Sequence, residues 1–206
     1  MSSFQRSDGR QSFLSECHRV VTAQGALMLS VLLSDEVLKL KEPFELDGHR
    51  VSQVPTESGI ATILETVGFH GLVFHLVGDM PIKIIKGVEL RLFIITAYKG
   101  KYGPCFDQGH AVIYRGPWKE IIDDDGHIYR RGIRTAVCAK TFNLLHREPY
   151  AGQFIELRCY AEPPLEQAQL FDCNIPVIRD PSVTKGNQPL SFTSDSCCAH
   201  GPGNCC

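Results

Sequence analysis

Residues 26–33 read Ala-Leu-Met-Leu-Ser-Val-Leu-Leu, an apolar stretch broken only by Ser30. Apolarity without alternation predicts a strand buried on both faces, as in a parallel sheet covered by helices. The stretch is far too short to cross a bilayer. Ahead of it, Phe13, Cys17, Val20 and Val21 recur at helical spacing, with Glu16, His18 and Arg19 as the polar positions. Ala23-Gln24-Gly25 then supplies a turn. Helix, glycine turn and buried strand make half of a doubly wound α/β unit.

A loop over 34–55, holding Pro43 and Pro55, leads to a second helix. Thr56 is placed to cap it, Glu57 stands in its first turn, and Ile60, Ile63, Leu64 and Val67 form one apolar face before Gly68 ends it. Residues 72–77 and 88–98 read as strands. Leu90, Leu92, Ile94 and Thr96 share one face of the latter. After Lys99 the pattern changes to short strands punctuated by turns. Residues 111–115 stop at Gly116-Pro117, 118–122 run into Asp123-Asp124-Asp125-Gly126, and 127–130 run back. The Asp-Gly pair between alternating runs predicts a hairpin. Strands over 134–139 and 154–160 and a short helix over 140–146 complete the reading. A boundary falls near Asp79-Met80-Pro81, and the chain beyond about Asp180 reads as a disordered tail. The expected architecture is thus α/β: a partial Rossmann-like domain over 1–79, a smaller β-rich α+β domain over 80–180, and a cysteine-rich tail over 181–206. No internal repeat is present.

The formal charge of -2 and the lack of a basic block argue against nucleic acid or a membrane surface as partner. The polar N-terminus has no secretory character. Nine cysteines, an odd number, in such a chain read as reduced thiols and a cytoplasmic setting.

Four of these thiols lie at the end of the chain, Cys197-Cys198 and Cys205-Cys206, with His200 between the pairs in a Gly-, Ser- and Pro-rich context. Such a segment builds no packed core, and vicinal thiolates select soft ions, so capture of a thiophilic metal or metalloid is the chemistry suggested. Cys105 sits in a Gly-Pro-Cys loop opening the β-rich domain and is either a ligand or a buried thiol. A trivalent metalloid needs two or three thiolates, so one cysteine is insufficient, and Cys17, Cys138 or a tail thiol are the possible companions. Cys138 alternates with apolar residues, Cys173 follows Phe171-Asp172, and Cys17 shares a helix face with Phe13, so core is the better reading for each. The tri-aspartate 123–125 reads as turn chemistry and not a cation site. His110 and His127 read as exposed strand histidines, and Tyr114, Trp118 and Tyr129 as cross-strand packing.

Two sets of motifs carry a resemblance. Residues 13–21 followed by Gln24-Gly25 and an apolar strand, with Leu64-Glu65-Thr66-Val67-Gly68-Phe69 beyond, resemble the late Rossmann segment of class I methyltransferases. Tyr98-Lys99-Gly100, Gly103-Pro104-Cys105, residues 108–116, Asp123-Asp124-Asp125-Gly126-His127, Ala136-Val137-Cys138 and Phe171-Asp172-Cys173 resemble the C-terminal domain of arsenite methyltransferases. A tail of paired cysteines is a frequent ending in that family.

The resemblance implies S-adenosylmethionine as methyl donor, As(III) or another small molecule as acceptor, and Cys105 as an arsenite ligand. Two departures matter. No G-x-G precedes residue 200, although the family binds its donor on a glycine-rich loop, and the loop 34–55 lacks the cysteine that the family places there. The chain therefore reads as the acceptor-binding half of such an enzyme, truncated or completed by a second chain, with no catalytic or donor-binding residue assigned. Two other readings stand beside it: a non-catalytic thiol module for a metal or metalloid, and a methyltransferase remnant acting on a small organic acceptor. With earlier strands absent, the strand over 26–33 is expected to leave one edge open.

Overall fold

The connection from the strand at 70–76 to the strand at 88–98 is too short for a helical crossover, so the second must return antiparallel beside the first. That constraint organises the first half of the computed structural model, which describes residues 7–100 and 102–187. In chain order this half holds α1 (Ser7–Val20), β1 (Ala26–Ser34), β2 (Phe44–Leu46), β3 (His49–Val51), α2 (Glu57–Val67), β4 (His70–Leu76), β5 (Lys83–Ile85) and β6 (Val88–Tyr98). The two-residue turn Lys86-Gly87, both at positive φ, joins β5 to β6. β6 then lies between β1 and β4, antiparallel to both, with Ala26 and His70 each opposite Tyr98.

The parallel, doubly buried strand expected over 26–33 is corrected here. Leu27, Leu29, Val31 and Leu33 pack into the core with Leu14 of α1, Ile60 and Leu64 of α2, Phe69, Ile95 and Ala97. Of the alternate positions, Ala26, Met28 and Ser30 are exposed, Met28 at 72%, and Leu32 is half-buried. Two small side chains and an unbranched methionine tolerate water, which apolarity counted residue by residue does not register. Among the described strands β1 pairs with β6 alone, so its other edge has no strand beside it.

The face of α1 is also turned from its expected position. Arg10, Leu14, Cys17 and His18 point inward, while Phe13 and Val20 are exposed. Lys99 closes the C-terminal end of this helix by donating from Nζ to the carbonyl of Val21 at 2.8 Å. α2 follows its sequence signals: Thr56 Oγ1 accepts from the Gly59 amide at 3.0 Å, and Gly68 caps the end at φ 105°, a conformation costly for any other residue. Replacing Thr56 with alanine should cost about 1 kcal/mol in a denaturant melt by removing that cap. The segment read as a loop over 34–55 contains the β2–β3 hairpin, turned by Asp47-Gly48 at positive φ.

The chain divides between Tyr102 and Gly103, not near residue 79, because β6 is paired along most of its length to β1 and belongs with it. The second unit holds β7 (Phe106–Asp107), β8 (Ala111–Tyr114), β9 (Glu120–Ile122), β10 (Ile128–Arg130), β11 (Arg134–Ala136), α3 (Ala139–Leu145), β12 (Phe154–Leu157), a single 3-10 turn, β13 (Gln169–Leu170) and α4 (Pro181–Thr184). β8 is central to an antiparallel sheet of order β11-β8-β12, β9 pairs with β10, and β7 pairs with β13. The fold is mixed α/β with several antiparallel sheets and few helices.

The core of this unit gathers Val112, Tyr114, Tyr129, Val137, Phe142, Leu145 and Phe154. Tyr114 and Tyr129 pack on Phe154 at centroid distances of 5.8 and 5.1 Å, as cross-strand aromatics should, but Trp118 is 68% exposed. His110, read as an exposed strand residue, is buried at 2%. Its ring lies on Phe142 and its Nδ1 accepts from the Cys159 amide, and burial pushes its pKa down to about 4. No described helix is long and apolar enough to cross a membrane.

Candidate metal centre

Three cysteines distant in sequence meet in the second unit. Cys105 stands just before β7, and its carbonyl accepts from the Phe171 amide at 2.9 Å where β7 pairs with β13. The chain then continues through Asp172 to Cys173, in a turn where Asp172 Oδ1 accepts from the Asn174 amide at 2.9 Å. Beyond it, Val177 O accepts from the Ala136 amide at 2.8 Å, and the Arg179 amide donates to Arg134 O at 2.9 Å. The 171–179 segment is thereby held against β7 at one end and β11 at the other. Cys138 follows β11 and is the N-cap of α3, its Sγ accepting from the Thr141 amide at 3.4 Å. The sulfurs of Cys105, Cys138 and Cys173 all lie within 4.8 Å of one another. Cys138 is fully buried, and the other two are half-buried.

Three sulfurs bound to one metal at about 2.3 Å stand about 4 Å apart, so modest side-chain rotation closes the cluster on an ion. The thiols are electrostatically unequal. Desolvation opposes ionisation of Cys105, but hydrogen bonds from Cys173 and Cys138 and the charge of Lys140 outweigh it, leaving this thiol below its ordinary value. The Lys140 ammonium is held near that loop by donating to Gly103 O at 3.0 Å. Burial, then the hydrogen bond to Cys105, pushes Cys173 well above the ordinary thiol range. Cys105 thus ionises more readily than Cys173.

A cavity of about 170 Å³ adjoins two of the three thiols, with Cys138 and Cys173 on its wall beside Val137, Ile128, Phe171 and Ile175. Tyr129 and His127 also reach it, both tied to Asp123: the Tyr129 hydroxyl donates to Oδ2 at 3.0 Å, and His127 Nδ1 lies 2.8 Å from the same oxygen. Burial and the Asp123 charge hold the Tyr129 phenol protonated. Asp123 Oδ1 accepts from the amides of Asp125 and His127, so this aspartate serves the hairpin turn, as the turn reading of the tri-aspartate expects. His127 is half-buried in that turn and is not an exposed strand residue.

Of the residues singled out from sequence, Cys105 is in the cluster. Cys138 and Cys173, read as core, are core and cluster at once, packing with Ala136, Phe171 and Val177. Cys17 lies in the first unit. Cys197, Cys198, Cys205 and Cys206 fall outside the described residues. Cys159 is a separate buried thiol whose Sγ donates to Val183 O at 3.3 Å.

Residues 101–189 match a family described as a domain of unknown function (DUF8838). No curated protein sequence matches the chain. A crystal structure of an arsenic(III) S-adenosylmethionine methyltransferase from Chlamydomonas reinhardtii is similar to it at 18% identity, with a TM-score of 0.37 over 85% of this chain. The chain spans 58% of that solved structure's length.

Proposed function

We propose that the second unit binds a soft ion through Cys105, Cys138 and Cys173, and that it is the acceptor-binding part of a methyltransferase-like protein. The observation that carries the first part is the convergence of three thiol sulfurs, two of them half-buried, with no carboxylate or imidazole in the set. Such a donor set favours thiophilic ions over hard cations. Inorganic As(III) would enter as the trihydroxide: three As–O bonds break, three As–S bonds form, and each thiol proton leaves on a hydroxide as water. Where Cys105 enters as thiolate, solvent supplies the missing proton. The oxidation state does not change.

The methyltransferase part rests on the sequence resemblance. S-adenosylmethionine, the donor it implies, does not fit the described residues: β1 leads into the β2–β3 hairpin and not through a glycine turn into a helix. No step is drawn through it. The sense of β1 and β4, alike on either side of β6 and connected through α2, supports placing the first unit late in a Rossmann-like sheet. The donor side would lie outside the described residues.

The test is titration of the reduced full chain with arsenite and with cadmium(II), beside a variant carrying serine at Cys197, Cys198, Cys205 and Cys206. One equivalent of either ion should bind the variant. Loss of all binding with the tail thiols would overturn the three-cysteine site. Cadmium adds a pH signature: Cys173 enters as a thiol and releases its proton to solvent, so raising the pH removes a competitor. Affinity should rise about tenfold per pH unit for each proton displaced. Arsenite, whose hydroxides carry the thiol protons away, should show no such rise.

A further inference from the structure

Ile122, on the solvent face of β9, is 66% exposed, and Trp118, just before that strand, is 68% exposed. Cations gather at the Trp118 end of the hairpin. The Arg131 amide donates to Lys119 O at 3.0 Å, the Gly132 amide to Tyr114 O at 3.1 Å, and Arg131 Nη1 to Pro117 O at 2.8 Å. These bonds lay residues 130–132 beside residues 114–119 and bring Arg115, Lys119, Arg130 and Arg131, all exposed, to one end of the hairpin. Glu120 is the one acid in the two stretches, and Arg130 engages it at 3.2 Å. Arg115, Lys119 and Arg131 form no ion pair among the described residues. No basic run marks this patch along the chain, because it exists only where the two stretches are hydrogen-bonded side by side.

We infer that this end of the hairpin docks a short acidic segment of a partner protein, with an apolar side chain of that segment against Trp118. Charge complementarity sets the sign of the partner, since Arg115, Lys119 and Arg131 attract carboxylates. The indole sets its kind. Trp and Arg are the residues enriched where proteins bind one another, and an aromatic anchor rimmed by charge is the composition of a hot spot. Asp123, Asp124 and Asp125 stand at the other end of the same hairpin, and the chain carries a formal charge of -2. A long polyanion such as nucleic acid would run onto that acidic tip, whereas a segment of a few residues does not. Neither Trp118 nor the four cations line the cavity beside the thiols, so the inference is independent of the soft-ion reading.

The test is titration of a fluorescent peptide of alternating glutamate and valine with the reduced full chain, read by anisotropy. Beside it stand a glutamate–glycine peptide of the same length, oligo-dT and phosphatidylserine vesicles. The glutamate–valine peptide should bind in the micromolar range and weaken as salt rises. Trp118→Ala should weaken it by about 30-fold, the equivalent of about 2 kcal/mol. Lys119→Glu should weaken it about threefold or more and flatten the salt dependence. Both side chains are exposed, so both variants should melt with the parent. Equal binding of the glutamate–glycine peptide, or unchanged affinity in Trp118→Ala, would reduce the patch to diffuse charge attraction and overturn the inference. Oligo-dT or vesicles bound as tightly as the peptide overturn it in favour of nucleic acid or a membrane surface. No binding of the peptide at millimolar concentration overturns it outright.

Discussion

Cys138→Ser should abolish soft-ion binding at micromolar ligand while leaving the fold intact. The loss should exceed about 100-fold, because a ligand is removed where groups behind ligands already cost 10–100-fold. The substitution separates ligation from folding because Cys138 is the N-cap of α3, with its sulfur accepting from the Thr141 amide. Serine is among the preferred N-cap residues, so its hydroxyl takes over that hydrogen bond. Thermal stability without ion should therefore hold or rise slightly. Titration and melting of the same preparation check both halves. Unchanged affinity would show that Cys138 is core alone and would reduce the cluster to two thiols.

The second large effect concerns stability. Asp107 and Arg179 form an ion pair at 2.7 Å with side chains 1% and 6% exposed. Asp107 Oδ1 also accepts from the Gly109 amide, and Arg179 Nε donates to His110 O, while Asp107 Oδ2 has no partner among the described residues. Arg179→Met would leave a buried carboxylate without its counter-charge, which costs about 3–5 kcal/mol. Domains have about 5–15 kcal/mol in total, so a fall in Tm of more than about 10 °C is expected. Asp107→Asn combined with Arg179→Met should recover at least half of the loss, since the charge is gone and an acceptor for Gly109 remains. If the double variant is no more stable than the single one, the cost lies in lost packing around Arg179.

The local elements of this protein are legible in its sequence wherever one residue controls one turn. Thr56 and Gly68 bound α2 as their chemistry demands, and the Asp125-Gly126 signal between strands does mark a hairpin. The same Asp-Gly signal at residues 47–48 turns the β2–β3 hairpin within a stretch read as a loop, because three-residue strands give too short a pattern to register. The direction of β1 was beyond that reading: apolarity reports burial, and strand sense is set by the connection between β4 and β6.

The candidate site divides in the same way. Cys105 drew attention from its own Gly-Pro-Cys loop; Cys138 was one of several possible companions but read better as core, and Cys173 read as core alone, because each alternates or packs with apolar neighbours as a core thiol does. No short spacing links the three, unlike a C-x2-C pair whose geometry is local. What joins them is strand pairing: Cys105 O with the Phe171 amide, and the Ala136 amide with Val177 O. Sequence alone thus determined where this chain turns, caps its helices and carries reactive sulfur. The tertiary structure alone decided which sulfurs share one site, since that depends on hydrogen bonds between segments far apart along the chain.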